Sequence, residues 1–290
     1  MRNELNFWVV GGDMRQAKLA ELLSEDGHTV HTYALERTPE LSGVLGAERL
    51  DEAALADCVV LPLPVEGEGS LLNCPLSAGR HPMAQVFSAF QPGQVLCAGR
   101  VSPGADTLAA ERGLLLHDYF EREELAVANA VPTAEGAVQI AMEELPITLH
   151  GARVLVIGYG RVGKLTAHRF AALGARVSVS ARKFEDLAWA EAMGYGVEQT
   201  GCLVGWLCAY DLVVNTVPAR VLSEKELRDL KSGCLVIDLA SKPGGVDFEA
   251  AGRLGVKVIW ALSLPGKVAP VTAGRFIKNT IYNILSELGV

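Results

Sequence analysis

The chain has 290 residues, half of them apolar, and 34 acidic against 26 basic side chains give it a formal net charge of −8. That length and apolar content suffice for two domains of ordinary size, each with its own core. The acidic balance excludes a general binder of nucleic acid or of membrane surfaces, so any anionic ligand must be held by a local arrangement.

From the N-terminus, short β-rich runs alternate with helical patterns. The stretch "FWVVG" at 7–11 reads as a strand and is too short for a signal peptide. It is followed by a helix over 14–25, strands at 28–34 and 58–64, a helix over 81–90, a strand at 94–99, a helix over 103–112 and a strand at 114–119. The segment 121–146 then joins two halves, with Thr133 expected to cap a helix over 134–144 and Pro146 lying just beyond its end. A second series of strands follows at 153–158, 176–181, 211–218, 234–240 and 256–261. The last segment, 272–290, carries apolar residues at 276, 277, 281, 284 and 285, a helical stripe with no later strand to serve. It is expected to pack back on the first half.

Alternation of this kind implies parallel sheets with crossover helices, hence two doubly wound α/β domains. The expected division is 1–128 and 129–271, with 272–290 returned to the first domain. No run of about 18 apolar residues exists, so no membrane span is expected. Six cysteines, Cys58, Cys74, Cys97, Cys202, Cys208 and Cys234, form no C-x-x-C pair and read as reduced thiols of a cytoplasmic protein. The histidines are not spaced near them as metal ligands would be, so no metal site is expected.

Two stretches share one design. In "VLVIGYGRVG" (154–163), Gly158, Gly160 and Gly163 spell G-x-G-x-x-G directly after a strand and at a helix start. The first glycine permits the tight turn, the second lets the backbone approach a pyrophosphate, and the third lets helix and strand pack closely. Arg161, Val162 and Gly163 open the helix whose N–H groups would face the phosphates. The next strand ends Ser180-Ala181-Arg182-Lys183, with no acid to bind a ribose hydroxyl or to repel a 2′-phosphate, so NADP is expected over NAD. Thr216 and Pro218, in "NTVP" after the third strand of this half, complete the expected cofactor set.

The other stretch, "WVVGGDMRQ" (8–16), lacks the third glycine, and Asp13 puts a negative charge where a pyrophosphate would lie. Gly12, Asp13 and Arg15 therefore suit a small carboxylate, received by helix donors and a guanidinium fork. The alternative is a plain turn in which Arg15 pairs with Asp13 or solvent. Further loops at strand ends are 62–70, the stretch 239–245, where Ser241, Lys242, Gly244 and Gly245 would make an anion nest, and 264–274 with Lys267.

Together "VVGGDMRQ", "LPLPVEGEG", "NAVPTAEGAVQIAM", "VIGYGRVG", "SARK", "DLASKPGG" and "LPGKVAPVTAG" resemble, in order and spacing, the A-subunit family of bacterial dipicolinate synthase. The least generic pieces are "GGDMRQ", "PTAEG" and "LPGKVAPVTAG". The resemblance implies two Rossmann-like domains arranged as in formate and glycerate dehydrogenases, with a cleft between them. It implies oxidation of 2,3-dihydrodipicolinate to dipicolinate (pyridine-2,6-dicarboxylate) with a pyridine nucleotide as hydride acceptor. It also implies work in the mother-cell cytoplasm during sporulation, beside the flavoprotein-like B-subunit of the synthase. A homo-oligomer is expected.

A substrate with two carboxylates wants two anion sites. On this reading Gly12, Asp13 and Arg15 receive one carboxylate, and Ser241 with Lys242, or Lys267, receives the other. Thr133 lies on the substrate side, Glu135 or a water accepts the proton, and the catalytic set is Arg15, Glu135 and Lys242. Two rival readings are a 2-hydroxy acid dehydrogenase and a nucleotide-binding protein without catalysis. The first is disfavoured because such enzymes carry a histidine just before the last helix, where this chain reads "LPGKVAPVTAG".

Overall fold

In the first strand, β1 (Asn6–Val10), Phe7, Trp8, Val9 and Val10 are all buried, so both faces of the strand are covered. Burial on both faces is the mark of a parallel sheet flanked by helices. The computed structural model describes residues 4–290 and divides into two compact units, the chain up to Asn129 together with Ala269–Val290, and Ala130–Val268.

The first unit runs β1, α1 (Met14–Glu25), β2 (Thr29–Tyr33), β3 (Leu45–Gly46), β4 (Cys58–Val60), α2 (Met83–Ser88), β5 (Val95–Ala98), α3 (Pro103–Ala110) and β6 (Leu116–Asp118). Its six strands are parallel in the order β3-β2-β1-β4-β5-β6. A long helix, α4 (Glu123–Glu144), then leads into the second unit. There follow β7 (Arg153–Ile157), α5 (Arg161–Ala172), β8 (Arg176–Ala181), α6 (Phe184–Ala192), β9 (Gly196–Gln199), β10 (Leu212–Asn215) and α7 (Glu224–Arg228). The unit closes with β11 (Leu235–Asp238), α8 (Phe248–Leu254), β12 (Lys257–Trp260) and α9 (Leu264–Val268), and its sheet order is β12-β11-β10-β7-β8-β9.

Both sheets thus have the Rossmann order, in which the strand sequence reverses beside the first strand and ligands bind at strand C-termini. In the first unit that place lies between β1 and β4, and in the second between β7 and β10. Each sheet has one strand more than the sequence pattern shows. The additions, β3 and β9, are edge strands whose residues are exposed or half-buried, so they carry no apolar alternation to read.

The C-terminal helix α10 (Pro270–Leu288) lies against α1. A Cβ at Gly274 would stand 2.8 Å from the Arg15 carbonyl oxygen and 3.0 Å from the Leu19 nitrogen, so the two backbones touch there. Ile277, Ile281, Ile284 and Leu285 enter the same core as Leu19 and Leu23.

One expected boundary is corrected. Thr133 does not cap a helix, because α4 runs unbroken from Glu123 to Glu144 with Pro132 inside it. Pro132 removes one N–H, to the carbonyl of residue 128, and would ordinarily end a helix. Here Ala130, Ala134, Ala137 and Ala141 are buried on either side of it, and that burial carries the helix through.

Candidate functional site

The glycine loop of the second unit follows from local sterics. Gly158 has φ +95, and a Cβ on it would meet the Thr216 hydroxyl at 2.4 Å. At Gly163 a Cβ would lie 2.0 Å from the Gly158 carbonyl oxygen, so no larger residue fits where α5 leaves the loop. Nothing, by contrast, stands within 4 Å of a Cβ on Gly160, which is the open side of the turn. Gly160 is the N-cap of α5 and offers no side-chain cap, so the N–H groups that open the helix at Arg161, Val162 and Gly163 face a seat that the residue itself does not fill.

The loop is held from behind. Gly158 donates to the Ser180 carbonyl at 2.8 Å, and the Thr216 amide and hydroxyl both reach the Ile157 carbonyl at 2.9 Å. Tyr159, between the glycines, is buried against Tyr195, with Lys164 over its ring at 5.5 Å. At the end of β8 the Ser180 hydroxyl, fully buried, meets Thr200 at 2.9 Å. Arg182 is exposed, while Lys183 pairs with Glu185 at 3.1 Å, a bond that raises the lysine pKa. Pro218 is exposed after β10, close in sequence to Thr216.

Asn215 and Asp238, which end β10 and β11, form a polar centre that sequence reasoning passed over. Both are fully buried. Asp238 accepts from the Asn215 side chain at 2.8 Å, the Ala240 amide at 3.0 Å and the Gly245 amide at 2.8 Å. The available signal was a polar residue closing each of two apolar strands, "LVVN" and "LVID".

This centre corrects the expected anion nest at 241–245. The Gly245 amide belongs to Asp238, and the Gly244 amide goes to the Ser241 carbonyl at 2.8 Å. The loop is wrapped around the protein's own carboxylate, and a Cβ on Gly244 would come within 2.9 Å of it. Ser241 and Lys242 are exposed outside it. Among the other expected residues of this unit, Thr133 is half-buried on α4, Glu135 is exposed there with Arg169 at 3.6 Å, and Lys267 is exposed on α9.

In the first unit the related loop is filled from within. Asp13 caps α1 in a capping box with Gln16, accepting from the Arg15 amide at 2.9 Å. The Arg15 guanidinium grips the same carboxylate, Nε at 2.9 Å and Nη2 at 2.8 Å, and donates from Nη2 to the Leu63 carbonyl at 2.6 Å. Arg15 is 8% exposed, so the group expected to receive a substrate carboxylate is engaged on Asp13. Gly12, at φ +102, leaves no room for a Cβ beside Gln16, and its amide donates to the Asn73 carbonyl at 2.9 Å. The cause is the turn itself, since an acid at the N-cap of a helix satisfies its own first-turn donors.

Both halves of the chain match known protein families. Residues 6–120 match the family described as the N-terminal domain of the dipicolinate synthase A-subunit, and residues 145–249 match one described as putative NAD(P)-binding. The dipicolinate synthase A-subunit of Bacillus subtilis (strain 168) is 32% identical over 293 residues, covering 99% of this chain and 98% of that protein. The chain belongs to the A-subunit family of dipicolinate synthase.

Among solved structures, the dipicolinate synthase A-subunit from Bacillus halodurans superposes with a TM-score of 0.88 at 32% identity over 97% of both chains. A transhydrogenase from Sinorhizobium meliloti shares the fold at 19% identity, with a TM-score of 0.73 over 97% of this chain and 94% of that one. The second unit of this family member is therefore a nicotinamide-nucleotide domain on a dehydrogenase-type fold. Its glycine loop suits such a cofactor: the α5 N-terminus has no cap of its own, and the space beside Gly160 is clear. Among the described residues no helix is long and apolar enough to cross a membrane.

Proposed function

We propose that this chain oxidises 2,3-dihydrodipicolinate to dipicolinate, with NADP held on the glycine loop of α5. The observation that carries the reading is the contrast between the two helix starts: α1 is capped by Asp13, whereas α5 starts at Gly160, which brings no side-chain acceptor and has clear space beside it. Family membership suggests the substrate class, and the fold supplies the redox chemistry.

In the reaction the dihydropyridine ring loses one hydride and one proton and becomes aromatic. The nicotinamide supplies the hydride acceptor when bound. Aromatisation drives the step, so the chain contributes positioning more than a strong base. The α5 N-terminus faces the pyrophosphate, and the exposed Arg182 at the end of β8 takes the 2′-phosphate in a charge-assisted bond. The departing proton goes to water or to Glu135, whose carboxylate is exposed on α4. In the first unit Arg15, engaged on Asp13, holds Leu63 through its carbonyl and so positions the loop that carries it. In the second unit Ser241, Lys242 and Lys267 are exposed cationic or hydroxyl groups that suit a carboxylate.

On this reading the protein works in the cytoplasm of a sporulating mother cell, together with the B-subunit of the synthase. No histidine lies in 261–268, before the last helix, which argues against hydroxy acid oxidation. The test is an assay of the purified chain with freshly generated precursor and NADP, with and without the B-subunit. Dipicolinate, detected by its ultraviolet absorbance, is the expected product. A chain that binds NADP yet forms no dipicolinate even with the B-subunit present rejects the proposal.

A further inference from the structure

Arg15 is engaged on Asp13, so the first unit needs another cation if it is to meet a dicarboxylate. Arg100 has the features such a residue requires. It follows β5, at the C-terminal edge of the first sheet, where parallel sheets of this order receive their ligands. Its φ is +52. An L side chain adopts that conformation at a cost that glycine avoids, so this turn carries an arginine where glycine would be unstrained. Four described non-glycine residues have positive φ, Ala34, Ser70, Arg100 and Ser263, and Arg100 alone among them is charged.

The backbone under Arg100 is fixed on both sides. Gly99 donates to the Pro62 carbonyl at 3.0 Å and accepts from the Val65 amide at 2.8 Å. The Arg100 amide donates to Asp118 Oδ1 at 2.9 Å, and the Val101 amide to Asp118 Oδ2 at 2.6 Å. Asp118 thus faces amides and leaves the guanidinium free of it. The Arg100 side chain is exposed and, among the described residues, makes no hydrogen bond or ion pair. A Cβ on Gly99 would meet Leu63 at 2.8 Å, so this pedestal abuts the loop whose Leu63 carbonyl Arg15 holds.

We propose that Arg100 is a substrate-binding residue that receives one carboxylate of the pyridine dicarboxylate, displayed from a rigid turn that Asp118 and the Leu63 loop hold in place. Arg15 acts through Leu63 and is a positioning residue. The proposal rests on the reaction assigned under Proposed function. A guanidinium binds a carboxylate through charge-assisted hydrogen bonds, and the fixed backbone under Arg100 removes the main-chain part of the ordering cost.

The test uses the full chain with NADP present and dipicolinate itself as the probe, titrated by calorimetry at one ionic strength. Arg100→Gly relieves the backbone and removes the cation. It is expected to keep or raise Tm, to leave NADP affinity unchanged, and to weaken dipicolinate binding about ten- to hundred-fold. Arg100→Lys is expected to retain part of that affinity. Unchanged dipicolinate affinity in Arg100→Gly overturns the inference alone, as does a fall in Tm or in NADP affinity that accompanies lost binding. Failure of the unaltered chain to bind dipicolinate while it binds NADP, with the B-subunit present as well as without it, overturns the assigned reaction, and the inference with it.

Discussion

Asp13 and Gly160 occupy the same place in two copies of one motif, the N-cap of the helix that follows the first strand of each sheet. Asp13 carries a carboxylate onto the first-turn amides of α1, and Gly160 carries nothing onto those of α5. One helix start is capped by the chain's own side chain and the other is not. Gly160→Asp should therefore convert the second into the first. A Cβ fits at 160, and an acidic cap is worth only about a few tenths of a kcal/mol over glycine at that position, so the stability gain is small. The variant should gain in thermal stability and lose NADP binding, measured by melting and by fluorescence titration. Retained cofactor affinity would show that the pyrophosphate does not sit at this helix.

Gly163→Ala should fail for a different reason. Its Cβ would overlap the Gly158 carbonyl at 2.0 Å, so α5 must shift from the loop. A stability loss of about 1–3 kcal/mol is expected in urea unfolding, together with weakened binding of NAD and NADP alike.

On the proposed function Arg182 separates the two cofactors. Exposed just after β8, it has no role toward a 2′-hydroxyl that a water could not fill, whereas its guanidinium is suited to a 2′-phosphate. Arg182→Ala should cost about tenfold in NADP affinity and leave NAD affinity within about twofold, by calorimetry of both. Equal losses for both cofactors would remove the 2′-phosphate role.

Asp238 is fully buried with three N–H donors on it, from Asn215, Ala240 and Gly245. Asp238→Ala leaves all three unpaired and should cost about 3–5 kcal/mol. Asp238→Asn keeps one acceptor oxygen and should cost less. If the alanine variant is as stable as the parent, the 240–245 loop is not organised by this carboxylate.

His28 ties α10 to the first sheet and sets a pH dependence. Its Nδ1 accepts from the Leu5 amide at 3.3 Å, and its Nε2 lies 3.0 Å from the Tyr282 hydroxyl, which donates to Asp26 at 2.7 Å. Burial lowers the histidine pKa, and nearby Lys278 adds to this, against Asp26 and Glu4. A folded pKa below the unfolded value of about 6.5 means that the unfolded chain takes up the proton first as pH falls. The contribution is complete above about pH 6.5 and is lost as pH drops below it. His28→Phe should flatten the stability profile between about pH 7 and 5, read by melting at each pH. An unchanged slope would show that His28 does not set it.

Several features could be read in advance because they are local. The run "VLVIGYGRVG" needs only the sizes of its glycines to specify a strand, a turn and an uncapped helix. The alternation of short apolar runs with helical stretches is enough for two doubly wound sheets. Edge strands β3 and β9 were illegible, since a strand with little burial has no pattern. The stretch around Pro132 misled for the converse reason: local propensity signals a break, and burial of the alanines around it overrides that signal.

Residue order alone specifies most of the helices and strands, the helix start that lacks a cap, and the acid at residue 13 that stands where the second loop has Gly160. Which polar groups remain available is settled by folding. Arg15 and Gly245 look alike as anion donors when read along the chain, yet each meets a group brought to it from another segment, the Leu63 carbonyl for Arg15, beside its local partner Asp13, and Asp238 for Gly245. A hydrogen bond is made by neighbours in space, so the occupancy of a donor is a property of the fold and not of the segment that carries it.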